Sequence, residues 1–145
     1  MEIVRTLVAP CSADALYPYV EDLAVYPTWM RLVHQVEPVD VGVWDVELRA
    51  RVGPFARSKR LRMARTDHVR PTCAVFERAE ADGREHAPWT LRADLQPDGE
   101  SSTTELTMTL RYGGGLWTGA VLERVLDDQV AAGSAALLDI VSTAR

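Results

Sequence analysis

Turn signals recur along the middle of the chain, and each one separates two segments in which apolar and polar residues alternate. They lie at Asp40-Val41-Gly42, Gly53-Pro54, Arg70-Pro71, Asp82-Gly83 and Asp98-Gly99. An Asp-Gly pair between two alternating segments is a strong local signal for a β-hairpin. The pattern therefore predicts an antiparallel meander, followed by a helix.

Seven strands are predicted from this pattern, at residues 2–9, 32–39, 44–52, 56–69, 72–81, 89–95 and 106–112. The third is the clearest, because Trp44, Val46 and Leu48 alternate with Asp45 and Glu47. A period of two places the first set on a dry face of the sheet and the second in water. The sixth and seventh strands carry apolar residues on one face in the same way.

Helical spacing appears at both ends of the chain. Ser12 can cap a first short helix, Pro18 should kink or split it, and a second short element leads into Trp29. After residues 113–115, three consecutive glycines, an apolar stripe predicts a helix over 116–143. Its length, on the order of 40 Å, would cross a whole sheet.

One helix cannot fill a wide, curved sheet, so the sequence predicts a cavity between them. Mostly apolar walls with a few polar groups are typical of small-molecule pockets. We expect the large residues of the dry faces and of the segment before the second strand to bind the ligand: Trp29, Trp44, Met63, Arg65, Phe76, Trp89, Leu91, Met108 and Tyr112.

Composition limits the classes of partner. The 145 residues fit a single domain over 1–145, and a net charge of −5 argues against broad electrostatic binding to nucleic acid or anionic membranes. No apolar segment approaches the roughly 20 residues that span a bilayer, and the N-terminus lacks the apolar region of a signal peptide. Two cysteines suggest free thiols, so we expect a cytoplasmic protein without integral membrane association.

The polar candidates are few. Three scattered histidines show no metal-ligand spacing, and no cofactor motif is present, so we expect neither metal nor cofactor. Arg60 and Arg62 should pair with Asp45 and Glu47 on the wet face. Arg57, Lys59 and Arg65 share the parity of Leu61 and Met63, so they face either the cavity or solvent at its rim. A cation there could hold a carboxylate or enolate.

The order of these elements resembles the START-like (SRPBCC) superfamily. The resemblance covers nearly the whole chain and rests on Val8-Ala9-Pro10, Asp22, Tyr26-Pro27, Trp29 and Tyr112 before a glycine-rich bend. Birch-pollen-type allergens, lipid-transfer START domains and polyketide cyclases belong to it. It implies an α+β helix-grip fold: a curved seven-stranded antiparallel sheet, two short N-terminal helices and one long C-terminal helix. It also implies that Trp29 lies near the cavity mouth.

Three functions follow from this resemblance. The leading hypothesis is binding of a small hydrophobic molecule, such as a lipid, quinone or polyketide. The first alternative is a polyketide aromatase/cyclase in which Arg65 or Tyr112 stabilises an enolate. The second is a protein-interaction module of the ribosome-associating or coenzyme-Q-binding type. A homodimer stays open, and the glycines at 113–115 are expected to act as a hinge for ligand entry.

Overall fold

The computed structural model describes residues 2–113 and 120–143. Its strands are β1 (Glu2–Ala9), β2 (Val33–Asp40), β3 (Val43–Val52), β4 (Phe55–Val69), β5 (Cys73–Arg78), β6 (Trp89–Asp98) and β7 (Thr103–Tyr112). They form one antiparallel sheet in the order β1-β7-β6-β5-β4-β3-β2. Every strand from β2 to β6 neighbours the next strand in the chain, and β1 pairs with β7. The predicted seven-stranded meander is therefore confirmed.

Three strands differ from the prediction by about three residues at one end: β6 continues to Asp98, β7 begins at Thr103, and β5 is shorter than predicted. The prediction extends this strand to residue 81, but it ends at Arg78, where the chain leaves the sheet for the loop that leads to β6. There Ala79 still donates its backbone N–H to the carbonyl of Arg62 at 2.7 Å. Ala79, Glu80 and Ala81 continue the alternation, and the next turn signal is the Asp-Gly pair at 82–83. No local signal in the sequence therefore marks the end of the strand at Arg78.

The register of the sheet separates a dry face from a wet face. Trp44 lies opposite Met63, and Phe76 lies opposite Leu91, so these large side chains share the concave side. On the other side, Arg62 pairs with Asp45 at 2.9 Å and Arg60 pairs with Glu47 at 3.2 Å. The predicted charge ladder is confirmed.

The N-terminal helices are short, as predicted. The Ser12 side chain accepts a hydrogen bond from the amide of Ala15 and so caps α1 (Ala13–Leu16). The helix passes at once into a 3₁₀ helix (Tyr17–Tyr19) that contains Pro18, because proline cannot supply the next α-helical hydrogen bond. A second 3₁₀ helix (Leu23–Thr28) follows. We call residues 21–30, which contain this helix, the lid.

The C-terminal helix α2 (Ala120–Thr143) covers the concave face and contacts β1 and β3. Arg5 on β1 forms an ion pair with Asp127 on this helix. Gly133 lets the helix lie against the lid, since a Cβ at this position would be only 2.8 Å from the sulfur of Met30. The predicted helix start at 116, Trp117 and two of the three hinge glycines lie outside the described residues.

The sequence of elements and their packing give an α+β helix-grip architecture, in which one long helix lies in the grip of a curved sheet. Neither α1 nor α2 is long and apolar enough, over its described residues, to cross a membrane.

Candidate functional site

An apolar cavity lies between the sheet, the lid and α2. Every described residue that lines it has an apolar or aromatic side chain. The lining comprises Leu23, Tyr26, Met30, Leu32, Val33, Val46, Leu48, Leu61, Met63, Trp89, Leu91, Met108, Leu110 and Val130. The position of this cavity, beneath the long helix, is the one that the sequence predicts.

The size of the cavity differs from the prediction. Its volume is about 50 Å³, room for one or two water molecules, whereas ligand pockets usually measure about 300–1,000 Å³. Aromatic side chains fill the neighbouring space: the ring of Tyr26 lies 4.7 Å from that of Trp29 and 6.0 Å from that of Phe76. The cavity in this structure is therefore smaller than a typical ligand pocket.

The predicted ligand-binding residues fall into two groups. Met63, Trp89, Leu91 and Met108 line the cavity. The others do not: Trp29, Trp44 and Phe76 join the aromatic cluster around Tyr26, Tyr112 packs on the ring of Trp89, and Arg65 lies beside Trp44. A ligand role for any of them stays a prediction.

Three methionines meet at the cavity. Met30 comes from the lid, Met63 from β4 and Met108 from β7. They are all the methionines of the chain apart from Met1. The sequence analysis did not include Met30 among the ligand-binding residues. The approximately helical spacing of Leu23, Tyr26 and Met30 is the signal that could have identified it. Unbranched thioether side chains change rotamer easily and adapt to the shape of a neighbour.

The lid is held by hydrogen bonds to backbone carbonyls. The Tyr26 hydroxyl donates to the carbonyl of Val20 at 2.9 Å, and the Trp29 indole donates to the carbonyl of Tyr19 at 3.1 Å. Full burial, with a smaller contribution from Tyr17, raises the pKa of the Tyr26 hydroxyl far above its ordinary value. Tyr26 therefore stays neutral and acts as a donor.

Arg65 contacts the lid instead of the cavity. One guanidinium nitrogen donates to the carbonyl of Glu21 at 2.8 Å, and the guanidinium carbon lies 6.0 Å from the centre of the Trp44 ring. A register shift in β4 directly follows this residue. The lid carbonyl engages one of the five N–H donors of this guanidinium, so a ligand contact by Arg65 stays a prediction. Arg57 is exposed and Lys59 half-buried, and both lie nearer the beginning of β4.

A second, polar cleft of about 580 Å³ lies between β2, β3, β4 and the loop after β5. Its charged groups are largely paired with one another, as in Arg78 with Glu80 at 2.8 Å and His86 with Asp82 at 2.9 Å. The hydrogen bond from Arg62 lowers the pKa of Asp45, which keeps that pair charged. Because these cations are neutralised within the cleft, the apolar cavity is the better candidate site.

Among residues 2–113 and 120–143, no group of histidine, cysteine, aspartate and glutamate side chains could hold a metal ion. Burial raises the pKa of the Cys73 thiol, and the neighbouring carboxylates of Asp94 and Asp67 add to this rise, while Arg92 opposes it. This thiol is therefore a poor nucleophile.

Comparison with known proteins supports the architecture. No protein-family model and no curated protein sequence matches the chain. Among solved structures, a START superfamily protein from Mycobacterium smegmatis is similar over 99% of each chain, with a TM-score of 0.78 and 14% identity. The Zhui aromatase/cyclase from Streptomyces sp. R1128 is similar over 98% of this chain and 93% of its own, with a TM-score of 0.70 and 15% identity.

A third similar structure is Ara h 8.0201, with a TM-score of 0.62 and 12% identity over 99% of this chain and 98% of its own. Identities this low concern the fold alone. The three proteins cover nearly the full length of the chain, and their superposition includes both the sheet and the long helix. The chain therefore has the helix-grip fold of the START-like superfamily.

Proposed function

We propose that this protein binds a small hydrophobic molecule in the cavity beneath the lid, and that the cavity widens when the ligand enters. The observation that carries the proposal is the lining itself: fourteen apolar or aromatic side chains surround a void at the centre of the fold. A lipid, a quinone or a polyketide-like molecule has the surface that such walls accept.

The widening has a physical source in the walls. Met30, Met63 and Met108 can each change rotamer without moving the backbone. The lid adds a second source, because it consists of a short 3₁₀ helix that is fastened by a few side-chain hydrogen bonds. Movement of the lid would join the present void to the space now filled by Trp29 and Tyr26.

The chemistry of the lining favours binding over catalysis. Cyclisation through an enolate requires a donor or cation at the reacting oxygen. Of the lining residues described, only Tyr26 and Trp89 carry a polar atom, and the Tyr26 hydroxyl already donates to the carbonyl of Val20. Arg65 and Tyr112, the candidates for catalysis, lie outside the lining. A fold neighbour that is an aromatase/cyclase therefore does not by itself favour an enzyme here.

Native mass spectrometry and a neutral fluorescent probe, N-phenyl-1-naphthylamine, test the proposal. We expect a co-purified small molecule or saturable probe binding, and loss of probe binding in Val46→Phe, which places a ring in the cavity. Val69→Phe makes the same change at a side chain that is 56% exposed and should leave binding intact. A wild-type protein that carries no ligand and binds no probe would overturn the proposal.

A further inference from the structure

The distal end of the β3–β4 hairpin, residues 49–60, differs in charge from the rest of the chain. It contains five cations and no acidic residue, although the protein has a net charge of −5. We call residues 49–60 the basic hairpin. Its cations are Arg49, Arg51, Arg57, Lys59 and Arg60.

The basic hairpin extends beyond the strands on either side of it. Leu48 is the last residue of β3 in the ladder with β2, and pairing of β4 with β5 begins only at Met63. The amide of Arg49 still donates to the carbonyl of Leu32 at 2.9 Å, and beyond it, as far as Leu61, β3 and β4 pair with each other alone in the described sheet. At about 3.3 Å per residue, the six steps from Leu61 to Phe55 span roughly 20 Å.

An apolar apex ends this extension. Phe55 is 64% exposed and follows Pro54 in the turn. Gly53 adopts a φ of +63°, which a primed two-residue hairpin turn needs at its first central position. A large exposed aromatic ring at a tight turn has no role in packing the sheet, so it is available to a partner.

The cations surround the apex on both faces of the ribbon. Alternation places Arg49 and Arg51 on one face, and Arg57 and Lys59 on the other. In the part of the chain that the structure describes, no acidic side chain forms an ion pair with Arg49, Arg51 or Arg57, and all three are exposed. Their charge is therefore directed at solvent.

We propose that the basic hairpin docks the protein on an anionic phospholipid surface, with Phe55 inserted at the headgroup level and the arginines on the phosphates. When the tip of the hairpin touches a flat lipid surface, cations from both faces of the ribbon can contact the phosphates at the same time. A single nucleic-acid strand would instead lie along one face, where successive bases stack on aromatic rings. The hairpin offers one ring, at its end.

The acidic net charge of the protein does not oppose this docking. At physiological ionic strength the Debye length is about 8 Å, so acidic groups behind the hairpin are screened from a surface that touches its tip. Leu48 and Leu61, at the base of the hairpin, line the apolar cavity. Docking would hold the cavity wall roughly 20 Å from the lipid. The inference goes beyond ligand binding and does not depend on it.

Flotation of the full chain with vesicles tests the proposal. We expect binding to phosphatidylcholine vesicles that contain 30% phosphatidylserine, little binding to pure phosphatidylcholine, and loss of binding in 500 mM salt. Each near-surface cation is worth about fivefold in partitioning. Arg51→Gln/Arg57→Gln should therefore lower the partition coefficient about 25-fold, and Phe55→Ser should lower it about tenfold.

Matched controls separate the hairpin from bulk charge. Arg84→Gln/Arg124→Gln makes the same change in net charge at two exposed arginines elsewhere, and Val41→Ser removes a side chain that is 92% exposed at another turn. Both controls should bind like wild type. Equal losses in the control pair, or no binding of wild type to anionic vesicles, would overturn the proposal. Binding of single-stranded RNA that needs Arg51, Arg57 and Phe55, without vesicle binding, would overturn it too.

Discussion

Arg65 should contribute more to stability than any other cation of β4, because it fastens the lid to the sheet. The substitution Arg65→Met keeps most of the aliphatic stem and removes only the guanidinium. It eliminates a 2.8 Å charge-assisted hydrogen bond to the carbonyl of Glu21 and the contact with the Trp44 ring at 6.0 Å. These are worth about 1.5–3 and 0.5–1 kcal/mol. We therefore expect the free energy of unfolding to fall by about 2–4 kcal/mol.

Urea unfolding, followed by tryptophan fluorescence, measures this change from the transition midpoint at constant m-value. Arg60→Met is the matched control on the same strand. Its side chain is 84% exposed and forms an ion pair with Glu47 at 3.2 Å, so its loss should cost about 0–1 kcal/mol. High salt should reduce the small effect at Arg60 and leave the effect at Arg65 nearly unchanged, because a half-buried contact is screened less.

Equal midpoint shifts for the two variants would refute this reasoning, since they would place Arg65 among the ordinary surface charges. The same experiment bears on ligand selectivity. If Arg65 serves the lid alone, Arg65→Met should change the affinity for neutral and anionic probes by the same factor. A selective loss of affinity for anionic probes would instead show that the guanidinium contacts the ligand in the cavity.

Three further predictions concern stability. Gly133→Ala should destabilise the protein by about 1 kcal/mol despite its better helix propensity, since the new Cβ would lie 3.2 Å from the backbone carbonyl of Trp29, which cannot move aside as the Met30 side chain can; a stabilised variant in urea would contradict this. Thr104→Val should cost about 1–3 kcal/mol, because removing this fully buried hydroxyl would leave the backbone carbonyl of Cys11 without its donor; an unchanged urea midpoint would count against this prediction. Burial raises the pKa of Glu80, but hydrogen bonds from Arg78 and the backbone outweigh it and lower this pKa below 4.5. Stability should therefore decline as the pH falls through that range, and Glu80→Gln should weaken the decline in acid titrations.

Local signals were sufficient to predict the sheet. Turn residues such as Asp98-Gly99 and strict alternation over β3 act within about ten residues, so each hairpin can be recognised by itself. Pro18 likewise predicts that the first helix is divided, as it is into α1 and the first 3₁₀ helix. The order of strands follows because a meander pairs each strand with its neighbour in the chain.

The interior of the site could not be predicted in the same way. Parity indicates which face Arg65 occupies, but it does not reveal that the carbonyl of Glu21 lies within reach. The volume of a cavity is the small difference between two large volumes, that of the space under the helix and that of the side chains that fill it. A sequence pattern does not determine so small a difference. Alternation identifies Met63 and Met108 as inward-facing, whereas the inward position of Met30 depends on the path of the lid.

The pairing of β1 with β7 also governs how the chain can assemble. Glu2 lies opposite Arg111, and Ala9 lies opposite Thr104, so β1 is synthesised before all six other strands of this sheet and pairs with the last of them. Strands β2 to β7 can pair successively through local hairpins, and during this time the backbone of β1 remains unpaired. Loops of this length are slow to close, and an unpaired strand is open to association with other chains in the meantime. The N-terminal strand should therefore be the element that most needs protection during synthesis.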